Sequence, residues 1–292
     1  MTTPYFASRA IIRMAKADDG RAIVGVMRFP NDGSSLRSFT EKEIEAAAVS
    51  ASKARTRRTI REKSLANEFE YFATFTFPPE RLDPASSKYI YPAKVTKSFQ
   101  NHFRYIHRKL TYLMVVVEHP GSELWHIHGL LRGIPEDELY PLDAETPSIT
   151  EDQKKRVLDG AVIYKWKLFD KQYGSHHELV RLNTPDIYGQ NISQQGKTTY
   201  MTKQYDKMDA ADYQKFRYRR VMSSRDLNKA LHESGLISDG AMLDLAKCFD
   251  IGIGPFGGTA ILDAASAAEF EKALHENRTY QMSVAPDMGE VR

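Results

Sequence analysis

An α+β fold built on a central antiparallel sheet of about five strands, flanked by helices, is what this chain predicts, on three observations. Residues 71–77, Tyr-Phe-Ala-Thr-Phe-Thr-Phe, alternate as a strand and stop at Pro78-Pro79. Residues 112–118 and 124–131 are two apolar runs around a Pro120-Gly121 turn, which reads as a hairpin. Between the strand and the hairpin, Val95, Phe99, Phe103, Ile106 and Leu110 recur near helical spacing.

Strand, helix, hairpin is the first half of a ferredoxin-like, RRM-like palm. Ahead of it, residues 10–29 alternate around Asp18-Asp19-Gly20 as a short hairpin, and Thr40 to Glu43 forms a capping box that opens a Gly-free helix to about Leu65. Residues 135–152 are acidic and contain Pro, as in a surface loop. A helix is expected from about Glu151 to Lys171, then a strand at 177–182, then the segment 193–207 as a further helix. After residue 231 the composition turns small and acidic, with Gly252 to Gly258 as a breaker. The expected organisation is therefore an N-terminal hairpin and basic helix at 1–66, the palm at 67–230, and an acidic C-terminal extension at 231–292.

Composition bounds the class. The chain has 292 residues, 41% of them hydrophobic, enough for one full core plus appendages. Its single cysteine, Cys248, excludes an internal disulfide and suits a reducing cytoplasm. No apolar run approaches the length of a membrane span, so no membrane partner is expected. The net charge of +3 is unevenly spread: residues 1–115 carry +9, residues 116–229 balance, and residues 230–292 carry −6. A basic front suits a polyanion-binding body. The glycines at 252–258 are followed by no Lys-Ser/Thr pair, so they do not form a phosphate-binding P-loop, and a fused helicase is not expected.

The chemistry concentrates in His126-Ile127-His128. Two histidines at spacing two on a strand project from one face and can hold one divalent metal between them. A hairpin would bring Glu118, at the end of the preceding strand, beside them. Downstream, Tyr200 and Lys203 are three apart, which on a helix is one face, and Lys207 follows four residues later. Tyr205 lies about 140° around the helix from Tyr200, off that shared face. His176 and His177, being adjacent in a strand, diverge and cannot share an ion.

A strand with threonines (Thr74, Thr76), then His-apolar-His, then Tyr-x-x-Lys resembles the HUH endonucleases. The order, histidines before tyrosine, is similar to the rolling-circle replication initiators (Rep) of phages and plasmids. The resemblance covers residues 70–230. It implies a site- and strand-specific enzyme that nicks a single-stranded DNA origin through a 5′-phosphotyrosine intermediate. Tyr200 would be the nucleophile, Lys203 the adjoining cation, and His126, His128 and Glu118 the ligands of a divalent ion, Mn2+ or Mg2+. A tyrosine's ordinary pKa of about 10 makes it a poor unassisted nucleophile, which is why a polarising ion and a fixed cation are needed. With no helicase of its own, such a protein would use a host helicase and polymerase.

Two cationic segments are DNA-binding candidates. The second half of the long helix carries Lys53, Arg55, Arg57, Arg58, Arg61 and Lys63 against Glu62, which suits either a grip on the DNA backbone or a solvated face. The segment 216–225 is basic and aromatic, with Arg217, Arg219, Arg220 and Arg225. Two other readings share these features: a tyrosine transposase with the same chemistry, and a non-catalytic nucleic-acid binder with a ferredoxin-like sheet and a structural histidine pair.

Overall fold

The computed structural model describes residues 9–28, 41–77, 85, 97, 101, 110–118, 125–147, 149–173, 177–186, 192–207, 221–254, 257–276 and 281–283. The chain divides into two compact units, one of Glu41–Ser64 with Glu68–Leu227, the other of Met1–Thr40, Leu65–Asn67 and Asn228–Arg292. The elements run β1 (Arg9–Lys16), β2 (Ala22–Arg28), α1 (Glu41–Leu65), β3 (Tyr71–Phe77), β4 (Thr111–Glu118), β5 (Trp125–Arg132) and β6 (Leu139–Pro141). They continue with α2 (Glu151–Leu158), β7 (Tyr164–Trp166), α3 (Lys167–Tyr173), β8 (His177–Arg181), α4 (Gln194–Lys207) and β9 (Val221–Ser223). The last are β10 (Leu231–Ser238), α5 (Asp239–Cys248), β11 (Ile253–Gly254), β12 (Gly257–Leu262), α6 (Ala264–Glu276) and β13 (Gln281–Ser283).

The larger unit is an α+β layer structure on a seven-stranded sheet of order β6-β7-β8-β3-β5-β4-β9. Its middle, β8-β3-β5-β4, pairs antiparallel throughout. That is the strand order of the expected palm, with β6, β7 and β9 widening it beyond the five strands anticipated. The pleat sends alternate residues to two cores. One holds Tyr71, Phe75, Met114, Val116, Ile127 and Leu131 with Trp166 and Phe169. The other holds Phe72, Leu113, Val115, Val117, Leu130 and Val180, covered by Ile60 of α1 and by Met201 and Tyr205 of α4. Apolar side chains on both faces are what a central strand requires.

Locally the structure departs from the expectation at 151–171. Thr150 does form a capping box with Gln153, but the helix stops at Leu158. Gly160, at φ 95°, turns the chain in the left-handed region that favours glycine, and β7 follows before α3 resumes. The stretch 135–152 likewise is not all loop, since it contains a 3-10 turn at Glu136–Glu138 and the short β6. The helix expected between β3 and β4 on Val95 to Leu110 lies, apart from residues 97, 101 and 110, outside the described residues, as does the cap at Thr40.

The smaller unit corrects the domain reading. The N-terminal hairpin and the C-terminal region form one six-stranded sheet, β11-β12-β2-β1-β10-β13, in which β1 pairs along its length with β10. Ile12, Met14, Val24 and Val26 pack against Met242 and Leu245 of α5 and Phe270 and Leu274 of α6. Two predicted extensions are thus halves of one folded unit, while the basic helix belongs with the palm. At the hairpin turn, Gly20 takes φ 86° and Asp19 accepts from the Arg21 backbone N–H at 3.0 Å.

Candidate active site

Register builds the site. His126 and His128 of β5 stand opposite Thr76 and Thr74 of β3. Directly paired residues share a face, and each pair is bonded: Thr76 Oγ1 lies 3.0 Å from His126 Nδ1, and Thr74 Oγ1 lies 3.2 Å from His128 Nδ1. The two imidazole rings are nearly parallel, with an interplanar angle of 12° and centroids 6.0 Å apart. A hydroxyl on Nδ1 fixes each ring's orientation and makes Nε2 the nitrogen that a metal would take. His128 is buried, as is Nε2 of His126.

α4 brings the tyrosine to that face. Its inward positions Thr198, Met201, Thr202 and Tyr205 are buried. Gln194, at its start, donates to the Ser64 carbonyl at 2.6 Å and accepts from the Phe69 N–H at 2.9 Å, and the hydroxyls of Thr198 and Ser64 meet at 2.6 Å. These bonds pin the first turn to α1 and to the approach to β3. The other side of α4 then presents Lys197, Tyr200 and Lys203, spaced by three. The Tyr200 ring contacts His128 with centroids 5.2 Å apart, and Phe72 edge-on at 6.1 Å. It nevertheless remains 40% exposed. A phenol beside the histidine pair and open to solvent is what a nucleophile for a macromolecular substrate needs.

Tyr205, by contrast, is 1% exposed within the core under α4, so it packs and is not presented to a substrate. Lys203 is exposed on the Tyr200 side of the helix. Glu118 pairs with Trp125, the position that alternates with His126. Its place in the ladder is therefore on the opposite face of the sheet, because a one-residue step reverses the pleat. The register does not bring Glu118 to the histidines, and its side chain lies outside the described residues. A carboxylate that does share the histidine face is Glu178, ladder partner of Thr74, and it is held by Arg156 at 2.9 and 3.1 Å.

Among the described residues no group of three or more His, Cys, Asp or Glu converges on one point. The two imidazoles, each oriented through Nδ1, fit two positions of an open coordination sphere of the kind that leaves room for substrate. His177 lies on the other face and serves the fold: its Nε2 accepts from the Trp166 N–H at 2.8 Å, and its ring stacks with Phe75.

Of the DNA-binding candidates, Arg55 and Arg58 of α1 are exposed, Arg57 and Arg61 half-buried, and Arg58 pairs loosely with Glu62 at 3.5 Å. Arg225 is exposed in a turn after β9. Lys207 ends α4, its side chain outside the described residues, and Arg217, Arg219 and Arg220 lie wholly outside them.

Two groups at the site were not expected from the sequence. Thr74 and Thr76 turn out to orient the histidines. Lys197 sits one turn before Tyr200 with its ammonium 4.9 Å from the Phe72 ring centroid. Lys-x-x-Tyr mirrors Tyr-x-x-Lys, so the same helical spacing that singled out Lys203 would have found it. Against known proteins, no family model matches this chain, and no curated protein and no solved structure is similar to it.

Proposed function

We propose that this protein is a metal-dependent single-strand DNA endonuclease and strand transferase that nicks an origin through a 5′-phosphotyrosine intermediate, initiating rolling-circle replication in a bacterial cytoplasm. The contact of Tyr200 with His128, on the face where His126 is also held, carries this reading.

In this reading the Tyr200 oxygen attacks the scissile phosphorus. The Oη–P bond forms as the P–O3′ bond breaks, the phenolic proton passes to solvent, and the departing 3′ oxygen takes a proton to become a hydroxyl. Bond energy stays in the phosphotyrosyl link for rejoining. His126 and His128, through Nε2, would hold a divalent ion, Mn2+ or Mg2+, which would supply Lewis-acid polarisation of the phosphate. Thr74 and Thr76 keep the rings aimed, and Lys203 adds positive charge on the tyrosine's side of α4. The 3′-hydroxyl then primes a host polymerase, with a host helicase opening the duplex.

Incubation with circular single-stranded DNA and Mn2+ should give a covalent protein–DNA band on a denaturing gel. The band should be lost on chelation and in Tyr200→Phe. Tight, salt-sensitive binding with no band on any single strand tested would support the non-catalytic binder instead.

A further inference from the structure

On the histidine side of the palm lies a cleft of about 590 Å³, within the span of about 300–1,000 Å³ usual for small-ligand sites. Lys197 lines it and also touches Phe72, the ring that Tyr200 and His128 contact, so this one lysine joins the cleft to the site just described. We infer that this cleft receives one nucleotide of the single strand beside the scissile phosphate, with Lys197 binding that nucleotide's phosphate at the Tyr200 end. The inference rests on the endonuclease reading for the cleft's place in the reaction.

Three features select a nucleotide over a plain anion. The cleft has apolar lining in Val162, Val180 and Ile192, and Val162 is 60% exposed, a wet apolar surface on which the face of a base can lie. Its charges are mixed: Asp152, Asp159 and Asp186 stand among Lys155, Arg156, Arg181 and Lys197. Such carboxylates would repel a free phosphate, yet they accept hydrogen bonds from the exocyclic amines of bases. Finally, the cations are unequally engaged. Arg156 is bound to Glu178 and Arg181 to Glu136, whereas the Lys197 ammonium makes no hydrogen bond or ion pair among the described residues.

Lys197 is also an awkward residue to keep there for folding alone. Burial holds its pKa below the ordinary lysine value, the Arg156 charge pushes the same way, and Glu178 and Asp186 only oppose them. A phosphate diester would give this ammonium a counter-charge in direct contact, in surroundings drier than bulk water, where the pairing is stronger. Lys203, exposed on the same side, is better hydrated and so exerts a weaker field on the phosphorus.

Fluorescence anisotropy with labelled hexadeoxycytidylate, whose bases carry exocyclic amines, in chelator measures binding without chemistry. Lys197→Met should weaken binding at least fivefold and lower the slope of log affinity on log salt by about 0.7, the share of one phosphate on a single strand. Lys197→Arg should stay within threefold of wild type. Val162→Glu, a change at an exposed position that leaves the fold intact, should weaken binding at least fivefold through the wall of the cleft. With circular single-stranded DNA and Mn2+, Lys197→Met should slow adduct formation at least fiftyfold. If wild type forms adduct and both variants bind hexadeoxycytidylate like wild type, the subsite is refuted and the endonuclease stands. A loss of binding confined to Lys197→Met refutes the cleft as the base site. If wild type forms no adduct while both variants lose binding, the endonuclease reading falls and the nucleotide subsite stands.

Discussion

Thr76→Val isolates the orientation of a candidate ligand from the ligand itself. Thr76 is half-buried on β3, and its hydroxyl, 3.0 Å from His126 Nδ1, is the contact that sets which ring nitrogen faces the site. Valine keeps the branch at Cβ and the strand propensity but removes the hydroxyl. Loss of one neutral hydrogen bond is worth about 0.5–1.5 kcal/mol, or about two- to twelvefold in an equilibrium constant. Freeing the ring to rotate and change tautomer adds to that, and losses of about 10–100-fold in metal affinity are usual when the group behind a ligand histidine is removed. The expected result is an apparent Mn2+ affinity about tenfold weaker or more by isothermal titration, with adduct formation recovering at saturating Mn2+. Thr76→Ser, which keeps the hydroxyl, should behave like wild type. Thr74→Val should do the same through His128, and the double variant should show a larger loss than either. Unchanged Mn2+ affinity in Thr76→Val, with the fold intact by circular dichroism, refutes the role assigned to the threonines.

Other outcomes follow from the same geometry. Glu118→Ala should leave adduct formation within a few-fold of wild type, because its place in the ladder is on the far face from the histidines; a loss as deep as that of His126→Ala would reinstate it as a ligand. Tyr205→Phe should still form adduct, while Tyr205→Ala should cost about 3–5 kcal/mol of stability by denaturant melt, as emptying an aromatic site in a core does. Arg57 and Arg58 changed together to Ala should flatten the salt dependence of DNA binding if α1 meets the backbone, and an unchanged slope makes it a solvated face. Lys165 is buried, and that burial lowers its pKa against the partial opposition of Asp170 and Glu178. Between that lowered value and the ordinary lysine value of about 10.4 the unfolded chain binds more protons than the folded one, so stability should rise with pH across that window. Lys165→Met should lose this rise, its melting temperature starting above wild type at neutral pH and the gap closing as pH increases.

Much of the palm was legible because its signals are local. Period-two alternation marked β3, apolar runs either side of a Pro-Gly turn marked β4 and β5, helical spacing placed Tyr200 and Lys203 on one side of α4, and the 140° offset separated Tyr205, which the core then buried. What was not legible depends on register or on distant pairing. Glu118 ends its strand as anticipated, but whether it shares a face with His126 turns on a single-residue step in how β4 and β5 align. Thr74 and Thr76 could be placed on a strand, yet only the β3–β5 register puts each hydroxyl on a histidine. The union of the two termini was invisible for a different reason. The β1–β10 pairing joins segments from opposite ends of the chain, and the acidic composition after residue 231 resembles an appendage more than half of a sheet. Lys197 lies outside the Tyr-x-x-Lys pattern, which runs forward from the tyrosine, whereas Lys197 precedes it by one turn and its place beside Phe72 depends on how α4 packs on β3.

The most direct test of the account is to digest the covalent product with protease and nuclease and map the modified residue by mass spectrometry. A nucleotide 5′-phosphate on the peptide that contains Tyr200, at Tyr200 itself, is the predicted result. A modified Tyr205, or any other residue bearing the nucleotide, would contradict it.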